Sequence, residues 1–218
     1  MLLAAGRGER LRPLTDQTPK PLLEVRGKPL IDWHLEALAQ AGVREVVINL
    51  SWLGERIRAA VGAGGRFGLQ IHFSEEPAAP LETGGGIFQA LPLLGDAPFL
   101  VVNSDTYTDI DFALLTIEPA ALAHLVLVPN PAHHPRGDFA LQQGQVLETG
   151  EPLYTYAGIG VYRPELFAGC NGGRFPLLSV LRPAIAARRL RGELFRGQWA
   201  DVGSAERLAA LNGRATGL

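Results

Sequence analysis

One cysteine and one methionine among 218 residues set the first limits on this chain. Cys170 alone can form no intrachain disulfide and no all-cysteine zinc site, which points to a reducing compartment, the cytoplasm. Long apolar runs are missing as well: none approaches the roughly 20 residues a helix needs to cross a bilayer. The opening stretch does not read as a signal peptide, because Arg7, Arg10 and Arg12 follow a very short apolar segment instead of preceding a long one. Nor is there an excess of either charge. With 20 basic and 22 acidic residues the net charge is −2, so no global field favours nucleic acid or an anionic membrane as a partner. Internal repeats, low-complexity tracts and Ser/Pro-rich linkers are absent too. What is there is a 47% hydrophobic composition, enough for one sizeable core.

Apolar runs of strand length alternate with amphipathic stretches of helix length. Strands are expected at Met1–Ala5, Glu45–Leu50, Leu69–Ser74, Pro98–Asn103 and Leu122–Val128. Their near-continuous Val, Ile and Leu content fits a parallel sheet covered on both faces. Helices are expected at Pro29–Ala41, Ser51–Val61, Thr83–Leu91 and Phe112–Ile117. The first of these carries Ile31, Leu35 and Leu38 on one stripe and stops at Gly42. Such βαβ alternation predicts a Rossmann-like open, mostly parallel sheet flanked by helices, with ligands at the carboxyl ends of its strands. After Pro129 the texture changes. Gln143-Gly144 between Asp138–Leu141 and Gln145–Glu148 reads as a hairpin. A strand at Thr155–Tyr162 and helices at Leu177–Ala187 and Ser204–Leu211 follow. The reading is one continuous domain, 1–218, with an antiparallel addition in its second half.

The most informative segment is Leu3-Ala4-Ala5-Gly6-Arg7-Gly8-Glu9-Arg10-Leu11-Arg12-Pro13-Leu14-Thr15, followed by Thr18-Pro19-Lys20-Pro21-Leu22. A strand leads into two glycines and then into a loop with four cations. Glycines let backbone N–H groups approach a phosphate chain, and Arg7, Arg10, Arg12 and Lys20 would neutralise it. Pro13, Pro19 and Pro21 should prevent regular helix and hold Lys20 in a stiff extended segment. A dinucleotide fingerprint would need a third glycine where Leu11 stands, and a P-loop would need Lys where Glu9 stands. A structural glycine turn with solvated arginines is the plain alternative.

Two carboxylates stand out. Asp105 ends the apolar run Leu100-Val101-Val102-Asn103-Ser104, where open α/β folds place catalytic groups. Asp201 lies in Trp199-Ala200-Asp201-Val202-Gly203. Either one alone also reads as a turn or cap residue. Asp109 is a weaker candidate, and Asp111-Phe112 reads as a helix start. His133-His134 has no partner at zinc-ligand spacing and reads as a solvated loop; His34 and His72 read as structural.

The N-terminal string closely resembles the signature of the sugar nucleotidyltransferases, Leu-Ala-Ala-Gly-x-Gly-x-Arg-Leu-x-Pro-Leu-Thr followed by Pro-Lys-Pro-Leu. That resemblance implies a glycosyltransferase-A-like fold, nucleotide-binding mainly in 1–128 and sugar-binding mainly in 129–218. It implies that Ala5, Gly6 and Gly8 wrap the nucleotide phosphates, that Arg10 contacts the departing pyrophosphate, and that Lys20 contacts the reacting centre. Asp105 and Asp201 match the two carboxylates that hold Mg²⁺, with Asp105 counted as catalytic. Family members usually carry three to five more residues before the first strand, so a start at Met1 shortens it and leaves open whether the natural chain begins upstream.

The segment Leu81-Glu82-Thr83-Gly84-Gly85-Gly86 resembles the family's Leu-Gly-Thr-Ala-Gly stretch, which contacts the base; Glu82 replaces its first glycine, so base preference does not transfer directly. Asn130-Pro131-Ala132-His133-His134-Pro135-Arg136-Gly137-Asp138-Phe139 is similar to members that join UTP to N-acetylmuramate 1-phosphate in cell-wall sugar recycling. Mannose-1-phosphate guanylyltransferases and glucose-1-phosphate uridylyl- or thymidylyltransferases remain alternatives. Sugar contacts are expected from Asn103, Gly137, Asp138, Glu148 and Gly158; Arg136 is a candidate to face a sugar carboxylate, with a solvated loop arginine as the plain alternative. The expected partners are small molecules, a nucleoside triphosphate and a sugar 1-phosphate. A non-catalytic nucleotide-sugar sensor on the same fold is the rival of another class.

Overall fold

The computed structural model describes residues 1–77 and 81–213. Pro80, which precedes the Leu81–Gly86 segment, lies outside them. In chain order come β1 (Leu2–Leu3), the one-turn α1 (Leu14–Gln17), β2 (Glu24–Val25), β3 (Lys28–Pro29), α2 (Leu30–Gln40), β4 (Glu45–Leu50) and α3 (Gly54–Val61). Next are β5 (Gln70–Glu75), α4 (Glu82–Leu94), β6 (Phe99–Asn103), β7 (Thr106–Thr108), β8 (Ala123–Val128), β9 (Phe139–Gln142) and β10 (Gln145–Leu147). The chain closes with β11 (Leu153–Tyr162), α5 (Leu178–Ala186), β12 (Leu190–Leu194), β13 (Trp199–Asp201) and α6 (Ala205–Gly213). They form two compact units, each assembled from separated segments. The first takes Met1, Leu81–Val102 and Leu114–Gly197; the second takes Leu2–Pro80, Asn103–Ala113 and Gln198–Leu218.

In the second unit β1, β4 and β5 run parallel, with Leu2 opposite Ile48 and Val46 opposite Ile71. Val46 to Leu50 are buried without interruption, the burial expected of a strand covered on both faces. Helix α2 buries Leu30, Ile31, Leu35 and Leu38. It ends as its sequence predicts: Val43 N–H reaches the Leu38 carbonyl and Gly42 N–H the Ala39 carbonyl, each at 3.1 Å, which satisfies carbonyls the helix would leave unpaired. A separate apolar cluster joins Leu11, Val25, Leu30, Tyr107, Val202 and Leu211. It ties the N-terminal loop, the β2–β3 hairpin and α6 to the turn around β7, the place where the candidate site forms.

In the first unit β11 lies between β6 and β8, antiparallel to both, and β12 lies parallel to β8. The expected hairpin is present. Gln142 pairs with Gln145, and Gln143 and Gly144 both have positive φ, 50° and 76°, the turn whose twist matches the strands it joins.

Three expectations are corrected. The helix expected at Phe112–Ile117 is a single 3₁₀ turn, Phe112–Leu114; Leu114 is 74% exposed, so the segment has no second apolar anchor. The strand expected at Met1–Ala5 is only Leu2–Leu3. The proline-rich segment is not extended throughout, because α1 fits between Pro13 and Pro19 and Lys20–Leu22 form a 3₁₀ turn.

Candidate active site

The N-terminal loop is held by hydrogen bonds to Asn49 and Ser104 and by others within itself. Ala4 N–H donates to Asn49 Oδ1 at 2.7 Å, and Ser104 Oγ donates to the Leu3 carbonyl at 2.6 Å. Further on, the Gly8 carbonyl accepts from Leu11 N–H at 2.9 Å and from Thr15 Oγ1 at 2.8 Å. Gly8 has φ +67°, and a Cβ there would stand 2.9 Å from Thr15 Cγ2. Both its conformation and its neighbours therefore require glycine. At Gly6 the opposite holds: the residue is exposed, and an added Cβ would meet nothing within 4 Å. The backbone at Gly6 is thus open to a close approach.

The loop's cations are disposed differently from one another. Arg7 stacks over the Trp52 ring at 4.5 Å, and Arg12 pairs with Asp16 at 2.7 Å. Arg10 is exposed and has no hydrogen-bond or ion-pair partner among the described residues. Lys20 is buried, 8% exposed, and its Nζ donates to Asp105 Oδ2. A buried ammonium of this kind needs a carboxylate partner, and the sequence separation of 85 shows that the pair is made by the fold.

Asp105 and Asp201 are brought together through their backbones. In the β7–β13 pair Asp201 stands opposite Thr106, and Val202 N–H donates to the Asp105 carbonyl at 2.8 Å. Each carboxylate meets a cation: Asp105 meets Lys20, and Asp201 is held by Arg207 of α6. Beneath this turn lies His34 of α2. Its Nε2–H donates to the Thr106 carbonyl at 2.7 Å. Burial pushes the imidazole down to about 4, against the smaller upward pulls of that hydrogen bond and of the Asp105 charge. His34 is therefore a neutral strut under Thr106, the residue that follows Asp105 and stands opposite Asp201. Asp109 closes the same strand pair, accepting from Gln198 N–H at 2.7 Å, and so has a structural task. Two carboxylates on adjoining strand ends suit an ion that completes its shell with phosphate oxygens and water. Among the described residues no group of three or more His, Cys, Asp or Glu could hold a metal ion.

The segments expected to contact base and sugar belong to the first unit, apart from Asn103, which ends β6 in the second. Glu82 has φ +59°, a left-handed backbone that favours glycine. The Glu82 carboxylate accepts from Arg174 Nε at 2.7 Å. Thr83 is exposed, but Gly84 is buried: a Cβ there would lie 2.6 Å from the Phe175 ring. Gly85 is covered as well, with the Gly173 carbonyl 2.2 Å from a would-be Cβ. These glycines make room for the 173–175 loop.

In the sugar segment Gly137 has φ +68°, and a Cβ there would meet Asn130 Oδ1 at 2.7 Å. Asp138 bridges His134 Nε2 at 3.0 Å and Tyr156 N–H at 2.8 Å, so it shapes the loop by joining it to β11. Glu148 accepts from Arg182 Nε at 2.5 Å, and Gly158 is buried in the irregular stretch of β11 between Tyr156 and Gly160. Arg136 is exposed, with no partner among the described residues. Arg207, His34 and Asn49 carry no sequence signal of their roles, since their partners lie in β13, β7 and the N-terminal loop.

A family model described as nucleotidyl transferase matches residues 1–137. The chain is 52% identical over 217 residues to N-acetylmuramate alpha-1-phosphate uridylyltransferase of Neisseria meningitidis, covering 95% of this chain and 94% of that one. It is 34% identical over 231 residues to a Caulobacter vibrioides protein of the same name, covering 98% and 95%. In three dimensions it resembles a Bacillus anthracis protein solved in complex with sucrose, with TM-score 0.85 and 19% identity over 100% of this chain and 94% of that one. At that identity the likeness concerns the α/β fold alone.

Proposed function

Because the chain belongs to the nucleotidyl transferase family, we infer that it transfers UMP from UTP to N-acetylmuramate α-1-phosphate and releases pyrophosphate. The observation that carries the substrate is the 52% identity to the Neisseria uridylyltransferase over 95% of the chain. The nucleophile is a phosphate oxygen of the sugar 1-phosphate, which attacks the α-phosphorus. A phosphate monoester has its second pKa at about 6, so it is largely dianionic at neutral pH and needs no general base. The obstacle is charge, since two anions must meet and a third must leave.

This chain's residues answer that obstacle by neutralisation and alignment. Lys20 meets the phosphates at the reacting centre; its burial and its bond to Asp105 support a fixed ammonium. Arg10, exposed and unpaired among the described residues, is available to the departing pyrophosphate. Backbone at Ala5, Gly6 and Gly8 takes the phosphate chain, supported by the open approach at Gly6. Asp105 and Asp201 would hold Mg²⁺, which would supply positive charge to offset that of the phosphates. Glu82 and Thr83 meet the base, with Gly84 shaping the turn beneath them. Asn103, Gly137, Asp138, Glu148 and Gly158 frame the sugar, and Arg136 meets its lactyl carboxylate. We place the reaction in the cytoplasm, in recycling of cell-wall sugars; among the described residues no helix is long and apolar enough to cross a membrane.

Pyrophosphate release over four triphosphates and several sugar 1-phosphates tests this reading. UTP with N-acetylmuramate 1-phosphate should be the preferred pair. Preference for GTP with mannose 1-phosphate would overturn the substrate and keep the reaction class. Binding without release by any pair would identify a sensor.

A further inference from the structure

Asp201 is one of the two carboxylates assigned to Mg²⁺ in the proposed function, and the role of its neighbour Arg207 rests on that assignment. The Asp201 carboxylate already meets a cation. Arg207 Nη1 lies 2.8 Å from Oδ1 and 2.6 Å from Oδ2, one nitrogen straddling both oxygens. Both side chains are 22% exposed, so water screens the contact only in part. The arrangement depends on a missing side chain: a Cβ on Gly203 would fall 2.0 Å from Arg207 Nη2 and 2.7 Å from Asp201 Oδ2. The guanidinium occupies the room glycine leaves. Beside it, Lys20 donates to Asp105. Among the described residues, each carboxylate of the pair therefore meets a cation, Lys20 for Asp105 and Arg207 for Asp201.

A guanidinium and a divalent ion that share one carboxylate repel each other, and the lone pairs that face Nη1 are already spent. We propose that Arg207 is a positioning and charge-balancing residue that keeps the Asp105–Asp201 pair a weak site for a divalent cation alone. The cation then binds firmly only together with the negative charge of the triphosphate. Arg207 acts through Asp201 and need not touch the substrate.

Mn²⁺ titration, read by the electron paramagnetic resonance of the free ion and without nucleotide, tests this directly. Arg207→Met is expected to bind Mn²⁺ about tenfold or more tightly than wild type, as removing one nearby positive charge implies. Arg207→Lys keeps the charge and should stay near wild type. Gly203→Ala keeps the arginine but pushes its guanidinium off Asp201, so it should shift in the same direction as Arg207→Met. It also serves as the deciding variant if Arg207→Met does not fold by circular dichroism. Added UTP should tighten Mn²⁺ binding more in wild type than in Arg207→Met. Unchanged or weaker Mn²⁺ binding in the folded variant overturns the proposal, and so does Arg207→Lys binding as tightly as Arg207→Met. Asp201→Asn separates the two layers. If it binds Mn²⁺ like wild type, the carboxylate-pair reading fails; if it loses binding while Arg207→Met is unchanged, only the role of Arg207 falls.

Discussion

Acid should weaken this fold through His34. Burial holds the imidazole at about 4 in the folded protein against 6.5 ordinarily. Between those values the unfolded chain binds a proton that the folded chain does not, so stability is full above pH 6.5 and falls as the pH drops toward 4. At about 1.4 kcal/mol per pH unit the complete loss is roughly 3 kcal/mol. From pH 7.5 to pH 5.5 the share of this one residue is about 1.3 kcal/mol. Guanidinium unfolding of wild type and His34→Gln at both pH values isolates it, because Gln can still donate to the Thr106 carbonyl but cannot titrate. Wild type should lose about 1.3 kcal/mol more than the variant over that interval. Parallel pH dependences in the two proteins would refute the reasoning.

Asp105→Asn and Asp201→Asn should each nearly abolish pyrophosphate release at limiting Mg²⁺ while far-UV circular dichroism is unchanged; a near wild-type rate in either removes that residue from the ion. Lys20→Met and Arg10→Ala should each cost roughly 10²-fold in turnover, the scale of losing one charge-stabilising donor, and normal turnover in both would make the loop structural. Arg136→Ala should weaken N-acetylmuramate 1-phosphate far more than N-acetylglucosamine 1-phosphate in steady-state KM, and equal loss would take Arg136 out of the site. Gly85→Ala drives a Cβ to 2.2 Å from the Gly173 carbonyl, and should lower stability by about 1–3 kcal/mol in a thermal melt; an unchanged Tm would mean the 173–175 loop yields freely.

Much of this architecture is legible in the chain because its signals are local. Glu45–Leu50 is found at its expected bounds, since a continuous apolar run admits few other fates when both faces are covered. The Gln143-Gly144 turn and the stop of α2 near Gly42 follow from backbone chemistry within a few residues. What was not legible depends on distant partners. Thr106–Thr108 and Trp199–Asp201 are strands of three residues, too short for a period, yet their pairing brings Asp201 beside Asp105. Gly84 and Gly85 sit in a helix start that reads as a base contact, while the loop that covers them arrives about 90 residues later in the sequence. Helix α4 runs on through Pro92 to Leu94, past the expected stop at Leu91; proline forfeits one hydrogen bond there, in the last turn, without ending the helix.

The most direct test of the central claim is the ratio of kcat/KM for N-acetylmuramate 1-phosphate with UTP to that for mannose 1-phosphate with GTP, measured on the wild-type protein with Mg²⁺. The account predicts a ratio well above one, with UDP-N-acetylmuramate and pyrophosphate formed in equal amounts. A ratio below one, or consumption of UTP without a sugar nucleotide appearing, would contradict it.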